Sequence, residues 1–301
     1  MRKLTAIILA LSVLLVTAAA FAEDWTCPVC GRENDSNFCP WCGTERPSEA
    51  DTIICAGCGA EYDAETAYRY CVACGAALRK EQPLSSVGPG SVILFGRFEQ
   101  DNDPDNGPEP IEWIVLEADS DRTLLVSRYA LDARPYHTES ADITWEQCSL
   151  RAWLNGEFLE KAFTDEEREA VLLTHLDNAA EKASDYLTVA GNDTDDRIFL
   201  LSDHDAFDLY FWSDEEMLCA PTDYAIANGA YLLDEYDVDG RPAVTWWLRS
   251  PGYFQNNAEG VFGDGLRNSS EVNEGEICVR PAFWIDLNSG FWVTTYSYHT
   301  N

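Results

Sequence analysis

The feature that most constrains this chain is a turn repeated four times, in which two cysteines flank two residues and a glycine follows at once. The pairs are Cys27/Cys30, Cys39/Cys42, Cys55/Cys58 and Cys71/Cys74, followed by Gly31, Gly43, Gly59 and Gly75. Such a turn aims two thiolates at one metal while backbone N–H groups point at the sulfurs, and the glycine accepts the dihedrals the turn needs. Two turns facing each other close a tetrahedral site of four thiolates, so the spacing predicts two structural zinc ions and no open coordination position. The stretch from Glu23 to Lys80 holds few aliphatic residues, and a segment of that size is marginal without a staple. Structural zinc can supply on the order of 10 kcal/mol of folding free energy.

Two other readings of these cysteines stay open. Arg2 and Lys3 precede an apolar run from Leu4 to Val16, and small residues then lead to Ala20-Phe21-Ala22 before Glu23 and Asp24. This order predicts a cleavable export signal over residues 1–22 and a secreted or otherwise extracytoplasmic chain. An uncleaved segment would instead be a membrane anchor, the only membrane contact expected. An oxidising compartment favours disulfides in small domains, and a CxxC pair can also do redox chemistry. Disulfide frameworks have no reason to repeat the glycine four times, and redox pairs normally occur singly.

The chain of 301 residues carries 53 acidic and 20 basic side chains, for a formal charge of −33. Nucleic acid and anionic membrane surfaces would be repelled, so neither is expected as a partner. At 46% hydrophobic and 12% aromatic, the composition is that of a folded protein.

Residues 23–80 are read as the cysteine-rich module and 81–90, with Pro83, Gly88, Pro89 and Gly90, as a linker. In residues 91–301, "SVILFGRF", "PIEWIVLEAD" and "RTLLVSRYAL" read as three strands. "WEQCSLRAWLNGEFLEKAF" spaces Leu150, Trp153, Leu154 and Phe158 as one helical face. Thr164 to Glu167 is a capping box that opens another helix. "DRIFLLS" predicts a return to strand, and Ser202 with Asp205 a further helical turn. Strands, then helices, then strands with long loops predict an α+β class.

Motifs for chemistry are few. Asp101, Asp103, Asp105 and Glu112 match EF-hand spacing, but Asn106 stands where glycine is needed and prolines stiffen the loop. "DEYDVDG" places Trp246 at the twelfth position and fails as well. No nucleophile elbow, phosphate loop or dinucleotide fingerprint is present in the sequence. His137, His175, His204 and His299 lack ligand spacing, and Cys148, Cys219 and Cys278 are scattered, which predicts buried thiols. Arg249 and Arg280, each close to a proline, read as structural, and Trp113, Trp153, Trp247 and Trp284 as core.

The four turns resemble the double zinc ribbon family over residues 27 to 75, which implies an interaction or spacer module. "FGRFEQ", "EPIEWIVL", "SLRAWLNGEF", "DRIFLLS", "WWLRSPG" and "VRPAFWID", in this order, resemble an uncharacterised bacterial domain family over about residues 88 to 288. That family is commonly exported and often joined to zinc ribbons. More distantly, W-x-R-S followed by V-R-P-A looks like the C-type-lectin and formylglycine-generating-enzyme fold, which implies a variable surface of late loops.

On that resemblance the candidate ligand-binding residues are Tyr253, Gln255, Asn256, Asn257, Asp264 and Asn268, a mixture suited to hydrogen bonding and ring stacking on a sugar or peptide. Glycine and asparagine that merely make turns are the plain alternative. The expected function is an exported, non-enzymatic binding protein for an extracellular carbohydrate or protein ligand. The alternatives are a hydrolase with an unrecognised acid pair and a structural envelope module. Metal analysis combined with thiol counting is expected to give about two zinc ions per chain with Cys27, Cys30, Cys39, Cys42, Cys55, Cys58, Cys71 and Cys74 reduced. Oxidation of those cysteines without metal would overturn the zinc assignment.

Overall fold

The computed structural model describes residues 80–178 and 187–297, with short stretches at 25–26, 33–34, 52–55, 60–63, 71 and 73. The N-terminal signal segment and Cys27, Cys30, Cys39, Cys42, Cys58 and Cys74 lie outside the described residues. Among the described residues no helix is long and apolar enough to cross a membrane.

Two small antiparallel hairpins belong to the cysteine-rich part. Strands β1 (Trp25–Thr26) and β2 (Glu33–Asn34) flank the first CxxCG turn in sequence, and β3 (Thr52–Ile54) and β4 (Glu61–Asp63) flank the third. Cys55 and Cys71 are both buried, and the Tyr62 hydroxyl donates to Cys71 Sγ at 3.0 Å.

The segment read as a linker is built into the larger body. Strand β5 (Lys80–Pro83) is an edge strand, and Leu84, at the start of a 3₁₀ turn over Leu84–Ser86, is buried. Next come β6 (Ser91–Phe98), β7 (Glu109–Ala118) and β8 (Arg122–Ser127), each where an apolar run predicts a strand, and the short β9 (Asp132–Ala133).

The helical region is four short pieces. α1 (Ser149–Trp153) passes through a π-helical turn at Leu154–Phe158 into α2 (Leu159–Ala162), and α3 (Asp165–Ala170) follows. Thr164 Oγ1 accepts from Glu167 N at 3.2 Å and Thr164 N in turn donates to Glu167 Oε2 at 2.8 Å, the predicted capping box. Such a cap contributes about 1 kcal/mol.

After the hairpin β10 (Thr174–Leu176) and β11 (Thr194–Asp196), "DRIFLLS" departs from expectation. Its first residue, Asp196, closes β11; beyond it the run is extended, bridges Ala282 at Phe199 and accepts at Leu201 O from Arg249 N at 2.9 Å. Ile198, Phe199, Leu200 and Leu201 are all buried, so the apolar run reports burial on every side, which periodicity cannot tell from a ladder. Ser202 and Asp205 exchange backbone-to-side-chain bonds of 2.8 and 3.0 Å at the start of a second π-helical turn, Asp205–Tyr210.

Helices α4 (Asp214–Met217) and α5 (Asp223–Ala227) lead to the hairpin β12 (Leu232–Val238) and β13 (Arg241–Val244). Its turn has Asp239 and Gly240 at φ 57 and 81, as the twist of a tight hairpin requires. The acidic "DEYDVDG" is thus hairpin. The chain ends in β14 (Trp246–Pro251), β15 (Asn257–Val261), β16 (Arg267–Glu271), β17 (Cys278–Val279), β18 (Ala282–Asp286) and β19 (Trp292–Ser297).

Two sheets organise these strands: an antiparallel one in the order β18-β8-β7-β6-β19-β5, and one in the order β16-β15-β14-β17-β9, in which β14 and β17 run parallel. The class is α+β, rich in strand. Two neighbouring chain segments pass from one sheet to the other, β8 into β9 and β17 into β18, and they stay paired on both sides of the crossing. Arg280 and Pro281 occupy the corner: Ser127 N donates to Pro281 O at 2.9 Å and Arg280 Nε to Ser127 O at 3.0 Å. Arg280 is wholly buried, its guanidinium 4.9 Å from the Trp246 ring centroid and 5.3 Å from that of Phe211. Arg249 is also buried and pairs with Asp205 at 2.7 Å. Cys148, Cys219 and Cys278 are buried, and burial pushes the Cys148 thiol up to about 12.

On the six-stranded sheet, Trp113 and Phe283 meet edge to face at 4.7 Å, with Phe163 at 5.5 Å from Phe283 and Phe95 at 5.7 Å from Phe163. Trp113 Nε1 donates to Phe95 O at 2.7 Å. That carbonyl is available because β6 bulges between Leu94 and Arg97. Gly96 sits in the bulge at φ +67, where an added Cβ would lie 2.6 Å from Phe163 Cε1 and 2.7 Å from Ala162 O. Gly96→Ala is therefore expected to cost roughly 2–4 kcal/mol and lower Tm by about 5 °C or more. Gly88→Ala, in open space, should stay within about 0.5 kcal/mol; thermal melts of the two variants check both.

Candidate functional site

Two irregular stretches of backbone face each other across a groove. On one side the β6 bulge turns Arg97 outward while Phe98 stays buried. On the other, the π-helical turn after α1 brings residues five apart onto one face, so that the Trp153 and Phe158 rings lie 5.2 Å apart. Phe98 packs 5.2 Å from Phe158 and meets Tyr224 of α5 edge to face at 5.7 Å. These rings with Arg97, Glu99, Pro108, Arg134, Glu157 and Lys161 line a cavity of about 300 Å³, within the small-ligand range.

A second cavity of about 470 Å³ shares Arg97, Pro108 and Lys161 with the first, and is lined by Leu94, Phe95, Gly96, Phe163, Glu167 and Thr294 among others. It lies where the sheet parts. β19 pairs with β6 only across Ser91–Ile93, and its first residues pair with β5 instead. Among the described residues no strand covers Leu94–Phe98 on that side. Glu167 of α3 spans the opening, accepting from Gly96 N at 3.3 Å.

The cations at the junction differ in how they are held. Arg134 bonds Asp132 at 2.5 Å and lies 4.2 Å over the Trp153 ring. Asp132 is buried and also accepts from Ala133 N at 2.9 Å and Asn228 Nδ2 at 2.7 Å, which fixes the guanidinium from below. Lys161 pairs with Glu157 at 2.7 Å, and that bond holds its pKa above the usual lysine value. Arg97 has no carboxylate partner among the described residues; its Nη1 donates to Pro108 O at 3.3 Å. The Trp153 indole N–H is buried without an acceptor among them.

Beside this cavity, Glu99, Asp101 and Glu109 bring carboxylate oxygens within 4.8 Å of one another. Loss of water, then the charge of Glu109, raises the Glu99 pKa, while a bond from Asn106 lowers that of Asp101. These oxygens already accept from Asp103 N, Gln100 N and Asn106 Nδ2 at 3.0, 2.7 and 2.8 Å. The cluster therefore organises its loop, and Glu112, of the EF-hand spacing, pairs with Arg128 at 2.7 Å.

The late-loop residues take separate roles. Gln255 staples two other loops, with Nε2 to Val189 O at 2.9 Å and Oε1 from Val189 N at 2.8 Å in one, and its backbone O from Ile143 N at 3.2 Å in the other. The Asn256 carbonyl accepts from Val272 N, and Asn257 makes two backbone bonds of its turn. Asp264 accepts from Leu266 N at 2.9 Å and Asn268 donates to Ser270 Oγ at 2.9 Å. Tyr253 is 60% exposed and meets the equally exposed Phe254 edge to face at 4.8 Å.

Next to that loop lies a group that sequence reasoning did not find. Glu259 of β15 is 1% exposed, and no N–H or O–H among the described residues reaches either of its oxygens. Burial, then the Asp203 carboxylate, raises its pKa to about 9. Asp203 is held by Arg267 Nε at 2.6 Å. Only the apolar neighbours of Glu259 in "NAEGV" hinted at this burial, since nothing local marks a partner from another element.

Comparison with curated proteins and with solved structures gives no match. The domain of unknown function DUF6273 matches residues 120–287, more than half of the 301-residue chain, taking in every strand of the five-stranded sheet, the π-helical side of the groove and α5 but not β6, and the chain belongs to that family.

Proposed function

We propose that the large domain is a binding module whose groove takes the end of an extended peptide, with a terminal carboxylate at Arg97 and a flat or apolar terminal side chain over Phe98, Trp153 and Tyr224. The observation that carries this is the junction of the two cavities at Arg97, a cation with no carboxylate partner among the described residues. A guanidinium is a planar donor matched to a carboxylate. The parted strands beyond Ile93 supply an extended wall for the rest of the peptide, as in strand-addition recognition. Lys161, paired with Glu157 at 2.7 Å, lies at the same junction.

In this reading the cysteine-rich module is a pair of closed structural zinc sites, and the protein acts outside the cell, after export or on an anchor. Support comes from the four CxxCG turns, the two hairpins at the first and third of them, and the charged-apolar-small order of residues 1–22. The lectin-like reading, saccharide contact through the late loops, draws on the exposed pair Tyr253 and Phe254. A hydrolase would need an acid pair in reach of substrate. Asp203 and Glu259 form a pair, but Glu259 is buried, which favours binding over turnover.

Titration with a short N-acetylated peptide ending in phenylalanine, as free acid and as amide, tests the groove. The acid is expected to bind about tenfold or more tighter than the amide, from the charge-assisted bonds to Arg97. Arg97→Ala should remove that preference, and Trp153→Ala should weaken both forms. Equal binding of acid and amide, or of parent and Arg97→Ala, would overturn the assignment.

A further inference from the structure

A second group of side chains points to a device independent of the groove. Glu259 lies mid-strand in β15, opposite Ser269 of β16, and Arg267 stands two residues along β16 on the same face. Asp203 opens the helical turn that leads into the second π-helical turn, placed by a 2.9 Å bond from its N–H to Ser250 Oγ. The Arg267 guanidinium bonds both oxygens of Asp203, at 2.6 and 3.4 Å, and lies 4.0 Å over the Phe207 ring. Two carboxyl groups thus share one cation at a site where Glu259 is buried.

The other charges nearby do not relieve this. Asp205 is engaged by Arg249 at 2.7 Å, and Asp208, which faces Arg267, pairs with His204 at 2.9 Å. With no donor in reach among the described residues, Glu259 is bonded by keeping its proton and donating it to Asp203, its side-chain hydrogen-bond partner. Like carboxyl groups in one site share a proton for the same reason.

We propose that the Glu259 proton is a latch fastening the β15–β16 hairpin to the helical turn that carries Asp203, and that its loss releases the hairpin together with the Tyr253–Phe254 tip. The tip is coupled because Tyr253 N donates to Ser269 Oγ at 2.8 Å, directly across the ladder from Glu259. The sign follows from which state holds the proton. An unfolded Glu loses it near the ordinary value of 4.5, whereas the folded one keeps it to about 9. The stabilisation is therefore full below about 4.5 and falls as pH rises through about 9.

Amide exchange over residues 250–270 of the full chain, corrected for intrinsic base catalysis, tests this between about pH 7 and pH 10. The parent should lose protection by about tenfold or more. Glu259→Gln, whose amide donates to Asp203 at every pH, should hold its protection flat. Asp203→Asn removes the neighbouring charge and should move the transition to lower pH. A parent without a transition, a Glu259→Gln profile that superimposes on it, or an unmoved Asp203→Asn midpoint each overturns the latch. Carboxyl-carbon NMR of the parent decides independently of any variant: a Glu259 resonance that titrates above neutrality supports it, and one near the ordinary value refutes it.

Discussion

The architecture depends on a corner. Paired segments β8–β9 and β17–β18 cross together from the six-stranded sheet to the five-stranded one, so the corner fixes how the two sheets are joined. Proline at 281 has no N–H to leave unpaired at the bend, and Arg280 fills the inside of it. A buried guanidinium is costly, and Nη1 and Nη2 have no acceptor among the described residues. The Trp246 and Phe211 ring faces offset part of that cost through cation–π attraction, on the order of 1–2 kcal/mol. The bond from Nε to Ser127 O joins the two crossing segments at the point of the turn. Breaking the corner would uncouple the sheets, which is why a charge persists in the deepest part of the domain.

From that frame the groove follows as a consequence of two local irregularities. A regular β6 would pair with β7 without a break and keep Phe95 O in the ladder. The bulge at Gly96 instead gives that carbonyl to Trp113 and sets Phe163 hard against the strand. A regular α-helix through residues 149–162 would place Trp153 and Phe158 on different faces. The π turn places them together. Each irregularity costs hydrogen-bond geometry that the packed rings recover, and both border the same cavity.

Much of this was legible in the sequence, and the reason differs from element to element. β6, β7 and β8 read correctly because each alternates or runs apolar between turn formers, and α3 because Thr164 and Glu167 are three residues apart and bond one another. Those signals are local. "DRIFLLS" misled because complete burial looks the same in a strand and in an extended segment packed on all sides. Trp153 reads as core from its spacing, yet it lines the groove, and the π turn that turns it there leaves no mark in a 3.6-residue pattern. Arg97, Lys161 and Tyr224 are brought together only by the fold. Glu259 and Asp203 carry no motif either, and in a chain with 53 acids no pair stands out before burial and partners are known.

The same acidity makes the cations informative. With 53 acids and 20 bases, a random arrangement would leave few cations far from a carboxylate, and most described arginines have one: Arg128 with Glu112 and Asp239, Arg151 with Asp196, Arg249 with Asp205, Arg267 with Asp203. Each of these ties together elements distant in sequence. Arg97, Arg197 and Arg280 bond only carbonyls, and of the three Arg97 alone is exposed. Arg280 and Arg197 have structural reasons for that choice, at the corner and at the end of α3. Arg97 has none in the fold, since its bond to Pro108 O is long and solvent is at hand. An exposed cation beside the Gly96 bulge, at the mouth of an aromatic cavity and without a carboxylate partner among the described residues, is the group on which the proposed peptide binding rests.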